Sequence, residues 1–249
     1  MTVFKERPYI WVVISPPSDL ASNGPRRGFL FMAITDEPAV KNVMAFFDGQ
    51  NLFQHAKDAF GHHHPNFDPV KLHRAVCEAN DWRPTLTRFY TGVPSEAESP
   101  MWTGYWSNRV IALKRAGVHV TTRPLRYRKA PAIDHRGDLV LDDDGAQIIT
   151  TTPQEKGIDV RLALDLVSCA RTKQFDIALI FSQDQDLQEV VQEIADIAKE
   201  QNRWIRVASA FPSGPNASYR RGIDKTMWFK MDQEFYDKCL DARDYRPKK

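Results

Sequence analysis

Two runs of five consecutive apolar residues, Val43–Phe47 and Ile177–Phe181, restrict this chain more than anything else in it. Runs that short and that continuous leave no polar face for water, so each belongs to a strand covered on both sides. Strands of that kind occur in parallel sheets with helices above and below. Both runs also end in acid. Asp48 follows the first directly, and Ser182-Gln183-Asp184-Gln185-Asp186 follows the second. A carboxylate at the end of a covered strand is costly unless a cation or hydrogen-bond donors meet it.

Around these runs, strand and helix patterns alternate. A helix is predicted over 51–60, broken by Gly61-His62-His63-His64-Pro65. The next spans 69–79, opened by Asp68 as N-cap and Pro69 at the first helical position. A strand at 85–91, a helix at 99–116 closed by Gly117, and a strand at 118–122 follow. Asp142-Asp143-Asp144-Gly145 between Leu139-Val140-Leu141 and Ile148-Ile149-Thr150 predicts a β-hairpin. Then come a helix at 156–171, a strand at 176–181, a helix at 186–201, a strand at 204–208 and a sixth at 227–231. The fold class expected is α/β, a mainly parallel sheet flanked by helices on both faces, with an inserted β-hairpin. No internal repeat or low-complexity tract is evident.

The organisation expected is an N-terminal extension over 1–42, poorly ordered, a domain over 43–210, and a C-terminal extension over 211–249 packing on it. Residues 9–15 are apolar but too few to span a bilayer, and Pro16-Pro17 and Asp19 stand where a signal cleavage site needs small residues. Residues 18–29 read as a polar linker, and Met32-Ala33-Ile34-Thr35 reads as an ordinary protein start. Residues 1–31 are therefore expected to be an upstream extension with no role in the fold. Cys77, Cys169 and Cys239 form no CxxC or zinc spacing, so reduced buried thiols and a cytoplasmic protein without a membrane anchor are expected.

Four aspartates form the chemical signal. Asp48, Asp184 and Asp186 follow strands at the ligand-binding ends of such a sheet. Asp159, in Lys156-Gly157-Ile158-Asp159, opens the helix ahead of the second apolar run and reaches toward the same crevice. Carboxylates gathered there need a hard divalent cation, Mg²⁺ or Mn²⁺. Two such ions about 3.5–4 Å apart activate water and stabilise the leaving oxygen of a phosphodiester. Each residue also has a plain structural role: Asp48 in a turn, Asp159 on a helix dipole, Asp184 as an N-cap. Asp165 stands at i,i+4 from Arg161, as a partner on the helix surface or one supporting the ligands from behind would, rather than a ligand.

Phe47-Asp48-Gly49-Gln50-Asn51, Lys156-Gly157-Ile158-Asp159 with Asp165 six residues on, and Ser182-Gln183-Asp184-Gln185-Asp186 together resemble the three motifs of the NYN domain, a family of the PIN-like nuclease superfamily. The resemblance spans roughly residues 43–210. It implies metal ligation by Asp48, Asp159, Asp184 and Asp186, with Asn51 and Ser182 orienting the site through hydrogen bonds. Lys156 and Asp165 would support the ligands from behind. It further implies action on RNA, single-stranded strands entering an acidic groove most readily. Gln183 and Leu187 stand where many relatives carry glycine and phenylalanine.

The net charge of +2 gives no molecule-wide field for a polyanion, so RNA must meet a local basic patch. Arg123, Arg126, Tyr127, Arg128 and Lys129 form the densest one, read as a loop after the third strand, with Tyr127 available for stacking. Arg220-Arg221 is a second, weaker patch. The three adjacent histidines are expected in an exposed loop, and Trp102, Tyr105 and Trp106 in the core. The function expected is a metal-dependent ribonuclease. A non-catalytic RNA-binding or scaffold protein on the same fold is the alternative, and a homodimer remains open. Aspartyl-phosphate transfer is disfavoured because Gln50 stands where a second acid is needed, and dinucleotide binding because no G-x-G-x-x-G follows the first strand.

Overall fold

The computed structural model describes residues 36–64 and 66–247. The expectation for residues 1–31, and nearly all of that for 1–42, lies outside the described residues.

Strand β1 (Asn42–Asp48) is central, and its composition follows from serving two cores at once. Val43, Ala45 and Phe47 point into one cluster, with Leu52 and Ala56 of α1 (Gly49–Phe60) and Leu72 and Val76 of α2 (Pro69–Glu78). Met44 and Phe46 point into the other, with Leu162 and Leu166 of α4 (Ile158–Arg171) and Ile194 of α5 (Gln188–Glu200). The second apolar run, β6 (Ile177–Phe181), divides between the same clusters. Side chains alternate faces along a strand, so a run without polar interruption is what two covered faces require. Phe47 stacks on Phe181 across the β1–β6 pair, ring centroids 3.9 Å apart.

The sheet has six strands in the order β3-β2-β1-β6-β7-β8, with β2 at Arg83–Val93, β3 at His119–Pro124, β7 at Arg206–Pro212 and β8 at Met227–Met231. Every neighbouring pair is parallel. From β1 the chain builds outward through β2, α3 (Pro100–Arg115) and β3, then returns to β6 on the other side of β1. That reversal opens a crevice between β1 and β6 at their C-terminal ends, where open α/β sheets take ligands. The last strand and α6 (Gln233–Asp237) complete the same core, with Phe229, Met231 and Tyr236 in it. Among the described residues, no helix is long and apolar enough to cross a membrane.

Three sequence expectations change here. First, the basic segment is a strand rather than a loop: β4 (Arg126–Pro131) pairs antiparallel with β5 (Ile149–Gln154) in a separate ribbon, Arg126 opposite Gln154 and Pro131 opposite Ile149. The expected Asp-Gly turn lies at the ribbon's tip.

Second, the tip holds an internal repeat. In Ile133–Val140 and Leu141–Ile148, an Asp-x-x-Gly turn closes the same way. Asp134 Oδ1 accepts from Arg136 N and Asp138 N, and Asp142 Oδ1 from Asp144 N and Ala146 N. Gly137 and Gly145 take φ of 92° and 78°, a left-handed turn that only glycine enters freely. The octad escapes sequence inspection because, apart from its Asp and Gly, it repeats only an aliphatic residue at each end. Third, Trp102 is 40% exposed, whereas Tyr105 is buried and Trp106 packs on the core.

Candidate metal and phosphate pocket

Asp48 ends β1 and begins α1 in one step. Its backbone is extended, and its Oδ1 accepts the Asn51 N–H at 3.1 Å as the helix N-cap. Its Oδ2 accepts from Ser182 Oγ at 3.3 Å, directly after β6. Ser182 Oγ in turn accepts from Asp184 N at 3.1 Å, and Asn51 Oδ1 accepts from Gln183 N at 3.0 Å. Two of these hydrogen bonds lock the end of β1 to the end of β6 across the crevice, and the other two brace the turn on either side. Asp184 caps a short 3₁₀ turn (Gln185–Leu187), its Oδ1 accepting from Asp186 N at 3.0 Å.

Asp48, Asp159, Asp184 and Glu155 line one cavity of about 340 Å³, together with Gln50, Asn51, Lys156 and Gly157. Asp48 is only 7% exposed. Burial, then the charges of Asp184 and Asp159, push its carboxyl up to about 6, against the hydrogen bonds from Asn51 and Ser182. Burial pushes Glu155 up to about 7, with Asp48 and Asp159 adding to the rise and the Gly92 N–H opposing it. These carboxylates feel one another's charge, as carboxylates sharing a site do.

Asp186 does not line the cavity and its side chain is exposed. Among the described residues, no three His, Cys, Asp or Glu side chains converge closely enough to hold one ion as they stand. The donor set is nonetheless wholly hard oxygen. Mg²⁺ retains several waters and is held through one or two carboxylates plus substrate phosphate, so a looser arrangement fits such an ion.

Glu155 escaped the sequence reading. Its signal was present, an acid immediately ahead of Lys156-Gly157, but its position depends on Gly92 in β2, sixty-three residues away. A Cβ at Gly92 would come within 2.7 Å of the Glu155 carboxylate, so a side chain there would push Glu155 aside.

Asp165 is buried behind the cavity and accepts from Tyr90 OH at 2.8 Å, Arg88 Nη1 at 3.0 Å and Arg161 Nη2 at 2.7 Å. Tyr90 stands opposite Asp48 in the β1–β2 register. The expectation of Asp165 as a helix-surface or supporting partner named Arg161 but neither Arg88 nor Tyr90.

Arg126, Arg128 and Lys129 are exposed on β4, and Arg123 is exposed at the end of β3. Tyr127 is half-buried, and its hydroxyl accepts from Ser95 N at 3.3 Å. The end of β5 leads directly into Glu155 and Lys156, so this basic ribbon rises from the cavity wall. Of the three histidines, His62 pairs with Asp237 at 2.7 Å and the other two are exposed.

A second segment borders the site from after β7. Gln183 Nε2 donates to Tyr219 O at 3.3 Å and Arg221 O at 2.7 Å, leaving its Oε1 buried without a hydrogen-bond partner among the described residues. His55, one turn beyond Asn51 on α1, meets the Tyr219 ring edge-on and lies within range of the Asp184 charge.

A family model described as NYN domain matches residues 42–221. A crystal structure of a protein of unknown function from Vibrio parahaemolyticus is similar at 16% identity and a TM-score of 0.45, covering 81% of this chain and 99% of that one. No curated protein matches.

Proposed function

This chain belongs to the NYN domain family, within the PIN-like nucleases, and from that premise we propose that it is a metal-dependent ribonuclease hydrolysing phosphodiester bonds in single-stranded RNA. The observation that carries the reading is the shared cavity of Asp48, Asp159, Asp184 and Glu155 at the point where strand order reverses. Four carboxylates with two raised well above their ordinary range make a site that a divalent cation stabilises.

In this reading Asp48, Asp159 and Asp184 hold Mg²⁺ or Mn²⁺, with Glu155 as the fourth carboxylate, and Asp186 takes no ligand role. A bound ion supplies charge neutralisation at the phosphate and acidification of a water. Ser182 fixes the rotamer of Asp48, and Asn51 fixes the turn that carries Asp184. Lys156, exposed on the cavity lip, offers its ammonium to a phosphate oxygen. No Ser, Thr, Cys or His lines the cavity among the described residues, so water is the nucleophile.

The test is incubation of purified protein with end-labelled single-stranded RNA and DNA, in Mg²⁺, in Mn²⁺ and in chelator. Cleavage of RNA with metal and none in chelator is expected. The unconverged carboxylates favour a second reading, RNA binding without cleavage. Binding with no product in either metal would establish it and end the enzyme reading.

The exposed arginines of β4 set the groove for the RNA backbone. Replacing Arg126 and Arg128 together by Ala is expected to lower the slope of log K against log salt by roughly 0.7 per lost phosphate contact. Filter binding over a salt series measures it, and an unaltered slope removes the ribbon from the RNA path.

A further inference from the structure

We propose that Tyr219 is a stacking platform for an unpaired nucleobase, so that the strand at the acidic cavity carries a splayed-out base beside it. The proposal rests on the RNA reading above and adds a binding subsite outside the three sequence motifs.

Four hydrogen bonds hold the segment that carries Tyr219 against the cavity floor. Gln183, between Ser182 and Asp184, ties down the Tyr219 and Arg221 carbonyls. Two residues on, Gln185 Nε2 donates to Gly222 O at 2.9 Å, and its Oε1 accepts from Asp224 N at 3.2 Å. Gln183 stands where the resemblance has glycine, and a glycine has no side chain to make such a tie. The chain has thus fixed this segment to the same turn that carries Asp184.

The backbone is held, yet the ring it bears is 65% exposed, the most exposed large apolar side chain described. Its ring neighbour is His55, T-shaped at 5.4 Å and 79° between planes. An edge-on contact steadies the ring and leaves a face open. His55 stands four residues after Asn51 on α1, so the ring sits at the rim of the cavity that Asn51 lines.

Arg220 and Arg221 follow directly, both exposed, Arg221 paired with Asp224 at 2.8 Å, so Arg220 brings positive charge unneutralised among the described residues to the segment that carries the ring. An aromatic face next to cations is the combination that grips single strands: the ring takes a base and the cations take the backbone. A base inside a duplex is already stacked on both sides and cannot cover the ring. A protein partner is the weaker fit, because one exposed ring is not an apolar patch.

The experiment uses the full chain carrying Asp48→Asn, so that RNA is not consumed. It is titrated with a single-stranded oligoribonucleotide containing 2-aminopurine, and with the blunt duplex of the same sequence. Tyr219→Ala in that background is expected to weaken single-strand binding between about fivefold and 150-fold and to abolish the fluorescence change. Tyr219→Phe and Tyr219→Trp should retain both, and duplex binding should be unmoved by all three. Tyr219 is exposed, so matching thermal melts are expected and check the fold.

Single-strand binding by Tyr219→Ala as tight as the parent's overturns the platform and leaves the ribonuclease reading standing. A parent that binds neither strand, while wild-type protein leaves RNA intact in both metals, overturns that reading and the platform with it.

Discussion

In chelator at pH 8, Asp48→Asn melts at a higher temperature than the unsubstituted protein, and with Mn²⁺ present it fails to cleave RNA. The first half follows from burial. The Asp48 carboxyl is pushed up to about 6 in the folded chain against an ordinary 3.8. A raised carboxylate contributes its full stability below about pH 3.8 and loses it as pH rises through about 6. At pH 8 the metal-free fold therefore carries a buried charge costing on the order of 3 kcal/mol. Asparagine removes the charge and still caps α1 through its own Oδ1, while its Nδ2 takes the place of Oδ2 and donates to Ser182 Oγ in place of accepting from it.

The gain expected is up to about 6–12 °C at pH 8, shrinking toward zero near pH 4. Glu155→Gln follows the same sign, its loss centred near pH 7. Mn²⁺ should raise the melting temperature of wild-type protein and leave the variant nearly unmoved, because an ion that binds only the fold stabilises it by mass action. The second half follows from the ligand role. Losing one anionic ligand removes several kcal/mol of transition-state stabilisation, so cleavage is expected to fall about a hundredfold or more. Scanning fluorimetry at the two pH values and a gel assay measure the pair. Wild-type cleavage by the variant ends the nuclease proposal.

Asp165→Ala is expected to destabilise the fold by about 3–5 kcal/mol. Arg88 is 17% exposed at its side chain and would lose its buried partner, and the Tyr90 hydroxyl would lose its acceptor. Replacing both charges with Arg88→Met and Asp165→Leu should recover most of the loss, because the expense lies in the orphaned charge more than in the missing pair. Urea titration of the two variants and wild-type protein decides it. A double variant no more stable than Asp165→Ala would show that the pair itself carries the energy. Tyr90 lies opposite Asp48, so Asp165 also steadies the strand end that presents the cavity's most buried acid. Cleavage should return with stability in the double variant, and persistent loss would place Asp165 in the chemistry.

The parallel sheet was legible because β1 and β6 each serve two cores, and a short run without polar residues suits a strand covered on both faces. Asp48, Asp159 and Asp184 were legible because they end or begin elements whose order the pattern discloses. What escaped depends on distance along the chain. Glu155 is placed by Gly92, Asp165 by Arg88 and Tyr90, and Tyr219 by Gln183. None of these pairs leaves a local period. Asp186 shares the motif of Asp184, yet the 3₁₀ turn that Asp184 caps carries its side chain out of the cavity. The ribbon was read only at its tip, because threonines and arginines in β4 and β5 offer no apolar alternation to mark a strand.

The two feet of that ribbon join the body at adjacent points. Leu125 N donates to Val93 O where it departs, and Glu155 grips Gly92 where it comes back. Both anchors fall on neighbouring residues of one strand, so the excursion between them is a closed detour. Lengthening or trimming it leaves the spacing of its feet, and hence the acidic floor, undisturbed. How far the protein extends along a strand and how it treats the bond at the centre can therefore drift independently.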